Sequence, residues 1–185
     1  MTIKTIESLL RQVWRYEPDI LKLIFKFLFV PVYEDKEKKY RYIEALPKPG
    51  TTNINLKAFS NCRFLQSVII SDSVESIGDS AFYSCNQLQS VMIGKSVKTI
   101  GEYVFSRCKL LQSVNLGNSV EYIGENAFFS CGSLKSITIP NSVKIIGEDA
   151  FTGCELLKTA SIPKKLAEIV RELEVFPEHT EIMVR

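Results

Sequence analysis

Apolar side chains recur at a fixed interval of 23 residues over most of this chain. A branched aliphatic residue, an aromatic residue and a leucine each return at the same place in five consecutive units. The units comprise residues 51–73, 74–96, 97–119, 120–142 and 143–165. Repeats of this length are typical of solenoids, in which each unit buries its apolar positions by stacking on its neighbours. The sequence therefore predicts a stacked repeat array.

Each unit is predicted to contain two short strands. The stretches "LQSVMI" and "LKSITI" alternate with a period of two, which is typical of a strand with one buried face. Stacking would pair these strands in parallel at about 4.7–4.9 Å per unit. The next apolar pair, as in "SVESIG", predicts a second strand after a bend, and the A-F-x-x-C phrase predicts one turn of helix. A glycine expected to allow a positive φ at the corner stands at Gly78, Gly101, Gly124 and Gly147.

One cysteine closes this phrase in every unit, three residues after a phenylalanine and three before a leucine. Free cysteine behaves as a small buried hydrophobe, so packing is the favoured interpretation. No C-x-x-C pair exists, and five ligands in a straight ladder do not form a tetrahedral zinc site. An odd count does not pair fully into disulfides, although bridges between adjacent units stay open as an alternative, as do redox and metal roles. The predicted core ladder comprises Cys62, Cys85, Cys108, Cys131, Cys154, Phe59, Phe82, Phe105, Phe128 and Phe151.

The recurring phrase S-V-x-x-I-G-x-x-A-F-x-x-C-x-x-L-x-S-V-x-I resembles the BspA-type leucine-rich repeats. The resemblance covers five units and implies an α/β solenoid, curved, with short parallel strands on its concave side and helical turns elsewhere. It also implies a binding role, since many members look like surface adhesins that bind host matrix proteins. The first unit departs from the pattern, because Asn55 replaces the glycine.

The two ends are predicted to cap the array, because an uncapped solenoid exposes its core and its strand edges. Residues 1–50 are expected to form an N-terminal cap of two helices and a hairpin, with the segment from Ile20 to Val30 open between helix and strand. The alternative for this segment is a membrane-surface or partner-binding helix, given three aromatic residues beside two lysines, namely Phe25, Phe27, Phe29, Lys22 and Lys26. Residues 166–185 are expected to form a C-terminal cap of a helix and a strand.

Composition narrows the class of function. The chain has 185 residues and a formal net charge of +2, too near neutral to indicate nucleic acid as a partner. Its one histidine, His179, excludes a two-histidine metal site and a histidine-based triad in the repeats. No phosphate loop or nucleophile with a base is evident, so we predict no enzyme activity, no metal and no cofactor. The sequence shows no export signal, which favours the cytoplasm if it is complete and the cell surface or secretion if a signal was removed.

Outward columns on the first strand are the candidate binding residues. They comprise Ser67, Ile69, Ser90, Met92, Ser113, Asn115, Ser136 and Thr138. Such a hydroxyl-rich, weakly apolar face would accept a peptide or another protein. The alternative is that its hydroxyl groups only satisfy one another across the strands.

Two charged columns flank the second strand. One alternates in sign and predicts exposed ion pairs between units; it comprises Glu75, Lys98, Glu121 and Lys144. The other is uniformly acidic and comprises Asp79, Glu102, Glu125 and Glu148. The favoured explanation of the acidic column is the N-terminus of each helical turn, and cation binding is the alternative.

These observations predict a protein-interaction module that binds a protein or peptide on its strand face, with an adhesin-like role as one form. The alternatives are a structural spacer and a peripheral membrane protein anchored through its N-terminal helix. The identity of the partner and the oligomeric state stay open.

Overall fold

The computed structural model describes residues 52–63 and 65–185. The N-terminal cap, the choice between helix and strand from Ile20 to Val30, and the membrane-binding alternative lie outside the described residues. The division into caps and array stays a prediction.

Two series of parallel strands alternate along the chain, one of each in every unit. The predicted second strands of the units form one five-stranded sheet of β1 (Asn53–Ile54), β3 (Ser76–Ile77), β5 (Thr99–Ile100), β7 (Tyr122–Ile123) and β9 (Ile145–Ile146). The predicted first strands, continued by β11, form two three-stranded sheets of β2 (Ser67–Ile69), β4 (Ser90–Met92) and β6 (Ser113–Asn115), and of β8 (Ser136–Thr138), β10 (Thr159–Ile162) and β11 (Glu181–Val184). We call the outer surface of these two three-stranded sheets the strand face.

The strands are paired in the register of the repeat. Val68 lies opposite Val91, and Val91 lies opposite Val114, so the apolar columns of the sequence are the inward columns of the sheet. A slip of one residue would turn each buried column outward, which is why the apolar pattern fixes the register so strongly. The predicted solenoid with two short parallel strands per unit is confirmed.

Phenylalanine rings stack through the interior from one end of the described array to the other. Neighbouring ring centroids lie 5.0 Å apart between Phe59 and Phe82 and 4.8 Å apart between Phe151 and Phe176. The cysteines line the same core: the side chains of Cys85, Cys108, Cys131 and Cys154 are buried, and Cys62 is half-buried. Buried thiols also donate to backbone carbonyls of the preceding unit, as from Cys108 Sγ to Phe82 O at 3.3 Å.

In place of the predicted helical turn at A-F-x-x-C, each unit has a run of tight turns bonded to the next unit. Phe82 donates its N–H to Val104 O at 2.9 Å, and Ser84 donates to Ser106 O at 2.9 Å. The intervening Tyr83 donates within the unit, to Ser80 O at 3.1 Å. Every second amide is therefore used between units, a pattern that an α-helix, with all its amides bonded internally, does not allow.

The corner glycines have a different role from the predicted one. Positive φ falls two residues later, at Ser80 (56°), Tyr103 (54°), Asn126 (54°) and Asp149 (54°), and among the described glycines only Gly153 has a positive φ. A Cβ at Gly124 would lie 2.6 Å from the carbonyl carbon of Gly101, closer than real Cβ atoms approach. Glycine is required here because the backbones of adjacent units touch.

The C-terminal segment continues the ladder and the aromatic stack. A 3-10 turn (Lys164–Leu166) leads into helix α1 (Ala167–Glu172), and Phe176 then stacks on Phe151. Strand β11 pairs in parallel with β10, with Glu181 opposite Thr159. No helix in the described part of the chain is long and apolar enough to cross a membrane.

Candidate binding face

The candidate residues lie together on the strand face. Ile69, Met92 and Asn115 are opposite one another on β2, β4 and β6, and Ser136 and Thr138 follow on β8. Met92 is 52% exposed and Ile69 is 39% exposed, so two large apolar side chains face solvent side by side.

The strand face is interrupted between β6 and β8. On one side of the gap, Ile93 donates its N–H to Asn115 O at 2.9 Å, and on the other Ile139 donates to Ser161 O at 2.8 Å. The equivalent bond from Leu116 to Thr138 is absent, and no backbone hydrogen bond joins β6 to β8 within residues 52–63 and 65–185.

The gap is confined to this face. The same two units remain bonded through β5 and β7, where Thr99 lies opposite Tyr122. They are also bonded through their turns, where Phe105 donates to Ala127 O at 2.8 Å. The units therefore separate locally while their other two sides stay joined.

The position of the gap coincides with a change of corner residue. A Cβ at Gly117 would lie 2.3 Å from Gly94 O, so the second and third units approach closely only because this corner lacks a side chain. The fourth unit has Pro140 at the same position, and its ring needs the space that glycine leaves empty. Strands β8 and β10, which are followed by Pro140 and Pro163, remain paired. The interruption therefore occurs where a unit with a glycine corner meets a unit with a proline corner.

The separation opens a cavity of about 580 Å³ at the ends of β6 and β8. Its apolar lining is Val114, Leu116 and Pro140, and Val114 is half-buried whereas its neighbours Val91 and Ile137 are only 3% exposed. Its polar lining comprises Asn115, Asn118, Ser136, Thr138, Asn141, Ser142 and Arg185.

A second depression, of about 430 Å³, lies beside Ile69 and Met92. It shares Asn115, Leu116 and Asn118 with the first cavity, so the two form one continuous depression across the strand ends. We call this the strand-end groove.

Arg185 lies at one end of the strand-end groove and was not among the predicted site residues. Its guanidinium Nη2 donates to Ile139 O across the intervening unit, and its backbone N–H donates to Ile162 O at 3.0 Å. The sequence signal that could have found it is the continuation of the strand pattern in "TEIMVR", which places Arg185 level with Pro163.

Charge along the strand face changes at the gap. The column that precedes the strands has glutamine at Gln66, Gln89 and Gln112, and then exposed lysine at Lys135 and Lys158. At the glutamine end, the exposed Lys95 and Asp72 form an ion pair with Nζ and Oδ2 2.9 Å apart. The pKa of Asp72 is lowered, first because its carboxylate accepts the Lys95 backbone N–H and then because it accepts the Lys95 side chain.

The two flanking charged columns behave differently from each other. Lys144 and Glu121 form one of the predicted ion pairs, at 2.7 Å, and the hydrogen bond from Lys144 lowers the pKa of Glu121. The helix-terminus explanation of the acidic column is wrong, because no helix begins there; instead Asp79 Oδ1 accepts the N–H of Glu102 at 2.9 Å. Within the described residues, no group of three or more His, Cys, Asp or Glu side chains is placed to hold a metal ion.

The buried Cys131 thiol is poorly suited to chemistry. Burial raises the pKa of Cys131 well above its ordinary value, which keeps the thiol protonated and disfavours nucleophilic or metal-binding roles. His179 is exposed in the turn before β11. The strand-end groove is therefore the concave feature that brings the predicted strand-face residues together.

Comparison with known proteins supports the same fold. Residues 52–180 match the family model described as the BspA type leucine-rich repeat region, in six copies. A leucine-rich repeat protein from Bacteroides ovatus is 32% identical with a TM-score of 0.53, and the alignment covers 60% of this chain and 35% of that one. The leucine-rich repeat protein of T. pallidum is 31% identical with a TM-score of 0.60, covering 76% of this chain and 69% of that one.

A leucine-rich cell surface protein from Faecalibacterium prausnitzii, at 24% identity and a TM-score of 0.56, shares the fold over 77% of this chain and 50% of its own. The chain thus spans 35% of the length of the Bacteroides protein and half that of the Faecalibacterium protein. No curated protein matches the chain. The fold is that of a protein-interaction or surface-protein module, and the family and its structural neighbours are generally non-enzymatic.

Proposed function

Because the chain belongs to the BspA-type leucine-rich-repeat family, we propose that it is a non-enzymatic interaction module that binds a protein or peptide on its strand face. The observation that carries this proposal is the strand-end groove, with Ile69 and Met92 exposed beside it. Apolar side chains in a concave, polar-rimmed surface are typical of protein-binding sites.

The test is capture of a partner from source cells or from candidate matrix proteins by wild type and by Met92→Lys/Asn115→Lys. Both positions are exposed strand-face residues, so the variant adds two charges to the binding surface without entering the core. The matched control is Ile145→Lys, since Ile145 is 56% exposed but lies on β9 in the other sheet.

A partner that wild type and Ile145→Lys capture and the double variant loses, with circular dichroism unchanged, supports recognition through the strand face. Equal capture by all three proteins refutes it and favours a spacer role or a site elsewhere. A partner that is an extracellular matrix protein would give the module the adhesin-like role.

A further inference from the structure

We infer that the strand-end groove recognises an extended protein segment that carries an apolar residue and, three positions away, a carboxylate. The apolar side chain would contact Ile69 and Met92, and the carboxylate would bind Arg185. This inference rests on the proposed function, because it names the chemistry of the partner for the same face.

The apolar end of the groove has a suitable floor and no net charge. Ile69 and Met92 are opposite each other in the β2–β4 ladder and line the 430 Å³ depression. The two charged residues that line it, Asp72 and Lys95, neutralise each other in their ion pair. A charged side chain would gain no partner there, whereas an apolar one would cover exposed apolar surface.

The other end is cationic and rich in hydrogen-bond donors. The hydrogen bond to Ile139 O fixes the Arg185 guanidinium at the rim and leaves most of its five N–H donors for a ligand. Asn118 and Asn141 add amide groups, and among the described residues that line this cavity no side chain is acidic. Glu181, the acidic residue on β11, is four residues from Arg185, roughly 13 Å along the strand.

Charge complementarity therefore favours a carboxylate at this position. Guanidinium binds carboxylate through paired, charge-assisted hydrogen bonds, which adds geometric specificity to attraction. The exposed Lys164, whose backbone N–H donates to Arg185 O at 3.0 Å, extends the positive surface at this end of the groove.

The spacing between the two ends sets the spacing in the partner. Met92 on β4 and Ile139, which follows β8, are separated by two steps of the array, one of which crosses the gap, so ordinary strand spacing gives a separation of at least about 9.4 Å. A polyproline II segment advances about 9.3 Å in three residues and returns its side chain to the same side. Asn115 and Asn118, shared by both depressions, lie between the ends, where they can bond the backbone of the segment.

The experiment uses fluorescein-labelled, proline-rich peptides in which leucine and glutamate are three residues apart, made in both chain directions. Matched peptides carry glutamine in place of glutamate. Affinities for the full chain are measured by fluorescence anisotropy for wild type, Arg185→Gln, Met92→Lys and Lys164→Gln, the last as a control for general positive charge. Circular dichroism confirms that each variant is folded.

We expect the glutamate peptide in one direction to bind wild type about tenfold more tightly than its glutamine partner, as suits one charge-assisted pair. Arg185→Gln should remove this preference and leave the glutamine peptide unchanged, Lys164→Gln should largely keep the preference, and Met92→Lys should weaken binding of both peptides.

Equal affinity for glutamate and glutamine peptides, no binding of either, or a preference that survives Arg185→Gln would overturn the inference. Its failure is distinguishable from that of the proposed function. If capture of a natural partner still depends on Met92 and Asn115 while the peptides show no carboxylate preference, the strand face binds a partner of different chemistry.

Discussion

Replacement of Gly124 by alanine tests whether the corner glycines are required for close approach. A Cβ at this position would lie 2.6 Å from both the carbonyl carbon and the oxygen of Gly101, and 2.7 Å from Glu102 N. These are backbone atoms, and the Gly124 N–H is itself bonded to Ile100 O at 2.8 Å, so relief requires the units to separate.

The magnitude follows from the contacts that separation would lose. Reaching ordinary contact requires a shift of roughly 0.8 Å, enough to weaken one or two ladder hydrogen bonds at about 1–3 kcal/mol each if their groups stay buried. Alanine recovers about 0.4–1 kcal/mol through the entropy of the unfolded chain. For two bonds at the middle of these ranges, the expected net loss is about 3 kcal/mol, or a fall in Tm of roughly 6–12 °C for a chain of this size.

The matched control is Gly132→Ala. A Cβ at Gly132 would meet only Glu155 Oε2, at 4.0 Å, and its φ is not positive, so this variant should be neutral or stabilised by up to about 1 kcal/mol. Thermal and urea denaturation followed by circular dichroism compares the two. Equal stability of Gly124→Ala and Gly132→Ala would refute the close-approach explanation.

Three further predictions concern the gap, the thiols and acid stability. The Leu116 amide should exchange with deuterium much faster than the equivalent Ile93 amide, which donates to Asn115 O, and Pro140→Gly should slow it; equal protection of the two amides in wild type would contradict the gap. The four buried cysteines should react with a thiol reagent only after unfolding, whereas the half-buried Cys62 should react sooner; the buried ones are Cys85, Cys108, Cys131 and Cys154. Labelling of all five cysteines at one rate in the native protein would contradict their placement in the core. The hydrogen bond from Lys144 lowers the folded pKa of Glu121 below its ordinary 4.5, so its contribution to stability is present above that pH and lost as the pH falls through the folded value. Glu121→Gln should therefore lower Tm slightly at pH 7 and progressively less as the pH falls below 4.5; an equal effect at pH 7 and at the acid end of the titration would contradict the pairing.

The sequence predicts the strands, their parallel pairing and the buried faces because these depend on apolar positions that recur in every unit. Ile77, Ile100 and Ile123 repeat at one position, and only one register buries them all. Local backbone conformation was harder to predict. A glycine that recurs at one position of the repeat is compatible either with a positive φ or with close approach of two backbones. In this chain the positive φ falls two residues after the glycine, at Ser80 and Asn126.

The sequence predicts only part of the strand-end groove. Outward residues such as Met92 and Asn115 follow from strand alternation, and they do lie on the exposed face. The gap does not follow from alternation; in the structure it coincides with the change of corner residue from Gly117 to Pro140. Arg185 could not be found from the five repeats at all, since it reaches the site by extending from β11 across the neighbouring unit to Ile139.

In an array of near-identical units, a distinct site arises where the units differ. Three differences coincide between the third and fourth units: the corner changes from Gly117 to Pro140, the column before the strand changes from Gln112 to Lys135, and the strand ladder is interrupted. A ligand confined to one unit would meet a similar surface at several places, whereas a ligand that spans this junction meets apolar surface, amides and a guanidinium in one order only. Under the proposed function, the junction would give a repetitive solenoid both a position and a direction for its partner, although the stabilising contacts of its core are almost the same in every unit.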